Sequence, residues 1–251
     1  MESRPREPQP KRRASVANRK PVFLSWSGGK DSALTHAALA QSTEFEVVGL
    51  LTSVTRGYDR ISVHGVRRSL LHAQAESLGL PLQEILLEPG CTNQAYEAAF
   101  LQGLQAIRSE WPDVRHIAFG DLFLEDVRAY RERLLAGSGF DPIFPIWGVN
   151  TSELARRFIG DGFVARLVCV DTTQLDAGFA GREFDDSLLA DLPPSADPCG
   201  ERGEFHTFVS SGPGFRRPLI YTTGERVLRE QRFMYCDIIE RGDSADETGT
   251  V

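Results

Sequence analysis

The chain has few cysteines and no long apolar run, and each absence excludes a class of protein. Its 251 residues include only four cysteines, which lie far apart and form no CxxC pair: Cys91, Cys169, Cys199 and Cys236. This spacing argues against a disulfide scaffold and a cysteine zinc site, and without a signal-peptide pattern it indicates a reducing cytoplasm. No apolar run reaches the ~20 residues of a membrane-spanning helix. We therefore expect a cytoplasmic protein with no membrane segment.

Negative charge predominates beyond residue 20. Residues 1–20 hold seven Lys or Arg against two Glu and carry +5, whereas the whole chain carries −7 and the remainder therefore −12. Because residues 1–20 contain three prolines and almost no large apolar residue, they are predicted to be a disordered basic tail. Residues 241–251 at the other end are predicted to be a disordered tail as well. A nucleic-acid-binding arm is the alternative, but the acidic body would repel phosphate backbones. Nucleic acid is not an expected partner.

Short apolar runs alternate with helix-like segments after this tail. Helical spacing of apolar residues predicts helices over 93–111, with Asn93 as the cap, and over 151–159. The alternation predicts an α/β fold over 21–177, a doubly wound five-stranded parallel sheet. Gly, Pro and acidic residues then interrupt it, so we expect a smaller C-terminal α+β substrate lobe over 178–240. The predicted strands are Val22 to Trp26, Val47 to Thr52, Glu84 to Leu87, His116 to Gly120 and Val164 to Asp171.

The stretch SGGKDS joins the first predicted strand to the first predicted helix. At such a junction the backbone N–H groups are unpaired, and the helix dipole contributes about half a positive charge. Gly28 and Gly29 would let the backbone approach a phosphate, Ser27 and Ser32 offer hydroxyl donors, and Lys30 supplies a full positive charge. The alternative, an ordinary strand-to-helix turn, gains nothing from a lysine in this position. The loop therefore predicts a phosphate-binding site.

The loop also lacks the two commonest nucleotide-binding patterns. It fits neither GxxxxGK[ST] nor GxGxxG, which removes support for γ-phosphate hydrolysis and for NAD binding. SGGKDS resembles instead the signature of the PP-loop ATP pyrophosphatases. That resemblance implies that ATP binds at this loop, Asp31 included, and that the bond broken is the one at the α-phosphorus, with release of pyrophosphate. It also implies a magnesium ion that bridges the phosphates.

Four further segments resemble the diphthine-ammonia ligase-like branch of the PP-loop family, and its bacterial members most closely. The resemblance spans roughly Val22 to Phe215 and implies a Rossmann-like PP-loop fold with a smaller C-terminal part over the nucleotide. The segments are HGVRRSLLHAQAESLGLPL from His64, AFGDLFLEDVRAYRERLL from Ala118, PIWGVNTSELARRFIGDGFVARLVCV from Pro145 and DPCGERGEFHTFVSSGPGF from Asp197.

The same resemblance implies a chemical reaction. Ligases of this branch adenylate a carboxylate and let ammonia, or another nitrogen donor, displace AMP to give a primary amide. Archaeal and eukaryotic members act on the diphthine side chain of translation elongation factor 2. Where those enzymes usually carry an acidic residue in a GEYET-like motif, this chain has His206 in GEFHT. The acceptor carboxylate, on a protein side chain or a small molecule, is therefore left open.

Sheet geometry points to further site residues. Ligands of doubly wound sheets bind beyond the carboxyl ends of the strands, where the winding order reverses. Gly120 and Asp121 end such a strand, so Gly120 would border the nucleotide, and Asp121 is a candidate for binding magnesium or steering ammonia. Glu125 is a candidate substrate contact; the alternative for the two acidic residues is a helix cap and a solvated glutamate. Thr52, after the second strand, is expected beside adenine or ribose unless it is only a polar strand end.

The late motif CGERGEFHT contains a dense polar cluster. Strand alternation places Glu204 and His206 on one face, where they could position the acceptor carboxylate or accept a proton from ammonium. That second task suits a group that titrates near neutrality, although a structural histidine is the alternative. Glu201 is a candidate substrate contact. By the family pattern His64 is another, the alternative being a histidine that only begins a helix.

Two other functions compete with an amide-forming ligase. The first is a tRNA-modifying enzyme of the same superfamily, but thiolating members need paired cysteines or an added RNA-binding domain, and this chain has neither. The second is an ATP-binding sensor without catalysis, which the presence of Lys30, Asp31 and the whole late motif disfavours. Under each of these three functions, a homodimer is the expected oligomer.

Overall fold

The computed structural model describes residues 19–57, 60–61 and 65–241. Two sheets and six α-helices make up this described part. The predicted basic tail except its last two residues, the predicted C-terminal tail except Arg241, and His64 lie outside the described residues.

The first sheet contains five parallel strands in the spatial order β4-β2-β1-β5-β6, and a two-residue strand, β3, pairs antiparallel with the end of β2. The predicted doubly wound sheet is thus confirmed. Since β1 and β5 are neighbours in space but not in the chain, the winding reverses between them, and a ligand site is expected beyond their carboxyl ends. The strands are β1 (Lys20–Ser25), β2 (Phe45–Thr55), β3 (Arg60–Ile61), β4 (Leu82–Leu87), β5 (His116–Ala118) and β6 (Asp141–Ile143).

One predicted strand belongs to the other sheet. The fifth parallel strand is β6, not Val164–Asp171, which forms β7 and pairs antiparallel with two later strands. The apolar run in β7 suits any strand buried on both faces, so composition alone could not assign it to a sheet. Strand β6 was missed because it has three residues, one of them Pro142. The domain boundary placed after residue 177 stays a prediction.

Helices connect the parallel strands and follow the last of them. The predicted helix over 93–111 is α3, but its cap is Thr92, whose Oγ1 accepts a hydrogen bond from the N–H of Ala95 at 3.2 Å. Among the described residues, no helix combines the length and apolarity that crossing a bilayer requires. The helices are α1 (Lys30–Ala40), α2 (Arg68–Leu78), α3 (Asn93–Glu110), α4 (Glu125–Leu135), α5 (Thr151–Gly160) and α6 (Asp186–Asp191).

Alternate side chains of β1 enter two different hydrophobic clusters. Phe23 packs in a cluster with residues of α3 and β4, whereas Val22 and Leu24 belong to a cluster that includes Phe205 and Phe208 of the second sheet. This period of two is what a strand covered on both faces requires. The first sheet is therefore buried between helices on one side and helices with the second sheet on the other.

The second sheet is antiparallel, with the order β8-β7-β10-β9. A 3₁₀ turn (Ala177–Phe179) and α6 lie in the connection between β7 and β8. This arrangement confirms the predicted C-terminal α+β lobe. Its strands are β7 (Val164–Asp171), β8 (Phe205–Ser211), β9 (Tyr221–Arg229) and β10 (Phe233–Glu240).

Candidate functional site

The SGGKDS loop occupies the expected position between β1 and α1, and its own hydroxyl groups shape it. The backbone N–H of Ser27 donates to Oγ of Ser32 at 3.0 Å, and the two serine hydroxyls are 2.8 Å apart. Gly28 has φ +78°, a conformation that favours glycine. A Cβ on Gly29 would lie 3.0 Å from the carbonyl oxygen of Thr207. Both glycines are therefore required by the way the loop folds and packs.

Strand β8 and helix α2 hold this loop from outside. The backbone N–H of Lys30 donates to Oγ1 of Thr207 at 3.0 Å, and the carbonyl of Gly28 accepts from the N–H of Val209 at 2.9 Å. The side-chain amide of Gln74 donates to that same carbonyl at 3.0 Å. The loop is thus fixed by protein contacts alone, which is the preorganisation a phosphate site needs.

Lys30 is buried and paired with its neighbour Asp31. The residue is 2% exposed, and Nζ lies 2.8 Å from each carboxylate oxygen of Asp31. Burial by itself would lower the pKa of Lys30, but the negative groups around it, Asp31 first among them, together raise it. The ammonium group also lies 5.7 Å from the ring centroid of Phe205. A permanent positive charge therefore stands at the start of α1.

A cleft of about 280 Å³ opens beside this charge, at the carboxyl ends of β1 and β5. It brings together nine of the residues predicted from the sequence: Ser27, Gly29, Lys30, Asp31, Ser32, Gly120, Asp121, Glu201 and His206. Residues that the sequence reasoning missed complete the lining: Ser25, Phe119, Arg131, Gly200, Gly203, Phe205 and Thr207.

Gly120 and Asp121 follow β5 as predicted. A Cβ on Gly120 would lie 3.0 Å from the carbonyl oxygen of Asp31 and 3.0 Å from Oγ1 of Thr35, so glycine permits this close approach. Asp121 does not cap α4, whose cap residue, Leu124, makes no side-chain capping bond. Burial raises the pKa of Asp121, against the effect of nearby Arg131. The helix-cap alternative for Asp121 is therefore wrong.

Asp121 and Arg131 face each other without a hydrogen bond. The distance from Nε of Arg131 to Oδ2 of Asp121 is 3.7 Å, and both atoms are buried with no hydrogen-bond partner. Buried polar atoms normally find partners, so both members of this ion pair keep unused hydrogen-bonding capacity. The sequence offered no signal for Arg131 beyond its position in the segment that begins at Ala118.

Glu201 joins the late loop to the first sheet. Its Oε1 accepts a hydrogen bond from the backbone N–H of Leu122 at 2.8 Å. Burial raises the pKa of Glu201 to about 7, although the Leu122 N–H acts in the opposite direction. The side chain is thus a carboxyl group in the cleft that exchanges a proton near neutral pH.

Two buried carboxylates hold the loop that carries Glu201. Glu204 accepts from the backbone N–H of Asp197 at 2.7 Å and from that of Arg202 at 2.9 Å. Asp197 in turn accepts from the N–H of Cys199 at 2.8 Å and from Oγ1 of Thr151 at 2.7 Å. Both carboxylate oxygens of Glu204 accept hydrogen bonds from backbone N–H groups. The geometry therefore favours a positioning role for this residue over direct contact with a substrate.

His206 lines the cleft but does not titrate near neutrality. Burial lowers its pKa to about 4, and the charge of Lys30 acts in the same direction. The imidazole is therefore neutral at physiological pH. His206, predicted with Glu204 to accept a proton from ammonium, therefore lacks the suitable pKa, whereas Glu201, predicted only as a substrate contact, has it.

Four predicted residues do not line the cleft. Gly28 shapes the loop from behind, and Glu204 holds the late loop. Glu125 is exposed at the first turn of α4. Thr52 lies inside β2, where its hydroxyl is buried without a hydrogen-bond partner.

The cleft fits a magnesium ion only in combination with phosphate oxygens. The described residues contain no group of three His, Cys, Asp or Glu side chains able to hold a metal by themselves. Magnesium, however, usually binds through one or two carboxylates together with substrate phosphates and water. The buried Oδ2 of Asp121, which has no hydrogen-bond partner, is suited to such a site.

Comparison with known proteins shows two family models side by side along the chain. Residues 20–142 match the diphthamide synthase N-terminal domain, and residues 150–243 match the diphthamide synthase C-terminal domain. Together they cover most of the chain, including the whole SGGKDS loop and the late motif.

Two curated relatives are similar over much of the chain. A fission-yeast protein (Schizosaccharomyces pombe) named diphthine–ammonia ligase is 26% identical over 220 residues, which covers 80% of this chain and 36% of the relative. A human protein of the same name is 25% identical over 182 residues, which covers 68% of this chain and 67% of the relative. The chain thus spans about a third of the length of the yeast protein and two thirds of the human one.

Proposed function

Because the chain belongs to the diphthine-ammonia ligase-like branch of the PP-loop family, we propose that it is an ATP-dependent ligase that converts a carboxylate into a primary amide. The observation that carries the proposal is the buried, positively charged Lys30 in a preformed loop, which lines the same cleft as the Glu201 carboxyl group, whose pKa is about 7. Lys30 binds the departing phosphates, and Glu201 accepts a proton from the attacking nitrogen.

In the first step an oxygen of the acceptor carboxylate bonds to the α-phosphorus of ATP. The bond from that phosphorus to the bridging oxygen breaks, and the electron pair leaves with pyrophosphate. Lys30 and the N-terminus of α1 stabilise the charge that develops on the leaving group, since their dipoles and charge are already oriented toward it. The N–H group of Gly29 and the hydroxyls of Ser27 and Ser32 lie in the same loop.

Asp121 would hold Mg²⁺ beside the phosphates, where the ion would neutralise part of their negative charge. The cleft, at about 280 Å³, is near the lower end of ligand-site volumes, so it would enclose the phosphates and the reacting groups. The adenosine would then lie on the β1–β2 side of the cleft, where Leu51 is paired with Ser25. Thr52, the next residue, is the predicted neighbour of adenine or ribose.

In the second step the nitrogen of ammonia bonds to the acyl carbon, and the bond from that carbon to AMP breaks. The nitrogen must lose a proton, and we assign the proton to Glu201, since its pKa of about 7 lets it act as a base near neutrality. Neutral His206 would orient the acceptor or the amine through hydrogen bonds. Glu204 would keep Glu201 in place through the loop.

The names of both relatives suggest diphthine as the first acceptor to test. Four further expectations stay predictions: a cytoplasmic location, a homodimer, a closer likeness to bacterial members of the family, and the absence of a nucleic-acid partner. So do the substrate contacts of His64 and Glu125.

Product analysis tests the proposal. The protein would be incubated with ATP, Mg²⁺, ammonium and a diphthine-bearing peptide, and the nucleotides and the peptide examined by chromatography and mass spectrometry. We expect AMP, pyrophosphate and a peptide amide, all lost in Lys30→Ala and kept in Lys20→Ala, whose lysine lies exposed on β1 beside Glu44. Formation of ADP in place of AMP would contradict the proposed reaction.

A further inference from the structure

We propose that Arg131 binds the carboxylate of the acceptor and holds it for attack on the α-phosphorus. This inference rests on the proposed ligase function and assigns its acceptor subsite. It concerns a residue outside the SGGKDS loop and the late motif.

The guanidinium of Arg131 is held in place by two aromatic residues, but its Nε–H donates no hydrogen bond. It projects from α4 into the cleft and lies over the ring of Phe119, with Cζ 5.0 Å from the ring centroid. Its Nη1 is 3.5 Å from the hydroxyl of Tyr96. Its Nε is buried and has no hydrogen-bond partner, because Oδ2 of Asp121 is too far away at 3.7 Å. A fixed, buried donor without a partner is costly unless a ligand completes it.

The charges of the cleft leave Arg131 as the available cation. Among the described residues that line the cleft, only Lys30 and Arg131 are cationic, whereas Asp31, Asp121 and Glu201 are acidic. Lys30 is paired with Asp31 and is assigned above to the departing phosphates. An anionic acceptor that enters this acidic cleft therefore needs the other cation, Arg131.

The shape of the guanidinium favours a carboxylate. Its planar fork matches the two oxygens of a carboxylate, and stacking on Phe119 leaves the edge of the fork available. Asp121 now stands where that carboxylate would bind, but without a hydrogen bond, so the substrate can replace it as the partner of Arg131. Asp121 would then turn to Mg²⁺ and the phosphates. A phosphate group is the less suitable ligand for Arg131, because the anion-binding loop lies at the start of α1.

A binding experiment separates this subsite from turnover. The protein would be loaded with α,β-methylene-ATP, in which the bond to be broken is replaced by an inert one, and titrated calorimetrically with a diphthine-bearing peptide. The same peptide with a primary amide in place of the carboxylate is the ligand control. Arg131→Gln and Arg131→Lys would be compared with Arg128→Gln, which removes an arginine one turn away that lies over Trp147 outside the cleft lining.

We expect Arg131→Gln to weaken binding of the carboxylate peptide about 10- to 100-fold, the loss of one or more charge-assisted hydrogen bonds. Arg131→Lys should recover only part of the affinity, because a lysine lacks the fork. Binding of the amide peptide and of the nucleotide should stay unchanged, as should both affinities in Arg128→Gln. Near-normal thermal unfolding of the variants would show that they are folded.

Two results would overturn the inference. One is equal affinity of the wild-type protein and Arg131→Gln for the carboxylate peptide. The other is a loss of nucleotide affinity in Arg131→Gln as large as the loss for the peptide, which would place Arg131 on the phosphates. If the peptide binds as expected but no pyrophosphate is released from ATP, the ligase proposal fails while the carboxylate subsite stands.

Discussion

Two cation–carboxylate pairs share one cleft, and they differ in how completely they are bonded. In the first, Lys30 and Asp31 are sequence neighbours with two contacts of 2.8 Å. In the second, Arg131 and Asp121 stand 3.7 Å apart, and the facing atoms have no hydrogen-bond partner. A complete pair keeps a buried charge in place, whereas an incomplete pair can exchange its partner for a ligand. The first pair is thus built into the protein, and we expect the second to open to substrate and metal.

Removal of the lysine from the complete pair should have the largest effect. Lys30→Ala is expected to reduce pyrophosphate release from ATP about 10²- to 10³-fold, because it removes preorganised positive charge from the leaving group. Steady-state assays at saturating nucleotide would measure the change. A variant that keeps more than half of the wild-type rate would remove Lys30 from the mechanism.

Glu201 is affected by both pairs, because its carboxyl group interacts electrostatically with Lys30, Asp31 and Asp121. Its titration is the basis of the next prediction. With a pKa of about 7, its carboxyl group is protonated below neutrality and becomes a base above it. At a constant concentration of free ammonia, amide formation should therefore rise about tenfold per pH unit on the acidic side and level off above pH 7. Glu201→Gln should lose about 10²-fold in rate together with this dependence.

The pH profile of Glu132→Gln provides the control, because Glu132 is an exposed residue paired with Arg128 on α4. It should follow the wild-type profile. If Glu201→Gln kept the same acidic limb, another group would be the base.

Stability measurements compare the two carboxylates directly. Asp31→Asn should lower the free energy of unfolding by about 2 to 3 kcal/mol, because it leaves the buried Lys30 without its partner. Asp121→Asn should change it by less than about 1 kcal/mol, since its buried oxygen makes no hydrogen bond to lose. Urea denaturation of both variants would measure this difference. Equal losses would mean that the second pair is as structural as the first.

A third cation–carboxylate pair, Arg232 with Asp171, lies outside the cleft and is fully hydrogen-bonded. Its removal is expected to have a smaller effect than loss of the Lys30–Asp31 pair. Asp171 is 1% exposed and accepts from Nε and Nη2 of Arg232 at 3.1 and 2.7 Å. The hydrogen bonds from Arg232 hold the pKa of Asp171 well below its usual range. Asp171→Asn should cost about 1 to 2 kcal/mol of stability at neutral pH and leave nucleotide binding unchanged.

The pH dependence of this stabilisation has a definite sign. A carboxyl group whose folded-state pKa is depressed stabilises the protein above its unfolded pKa, and the stabilisation is lost as the pH falls below about 4. The wild-type protein and Asp171→Asn should therefore converge in stability toward low pH in acid titrations. A gap that stayed constant would show that the stabilisation does not come from this carboxylate.

Most residues that line the cleft and were predicted from the sequence came from local sequence patterns. The SGGKDS loop was predictable because its glycines, hydroxyls and lysine act within six residues at one strand-to-helix junction. The candidate residues Gly120 and Asp121 followed from the rule that ligands bind at the carboxyl ends of strands. The same reasoning failed for the pKa of His206, since burial depends on distant residues that pack over it.

The sequence by itself determined the α/β class, the position of the SGGKDS loop between a strand and a helix, and the residues of the late motif, because each depends on neighbours in the chain. Only the tertiary structure decided which sheet receives Val164–Asp171, that Glu201 titrates near neutrality and that Arg131 faces Asp121. Strand pairing, desolvation and side-chain contact all join residues that are far apart in sequence, and no local pattern specifies those distances.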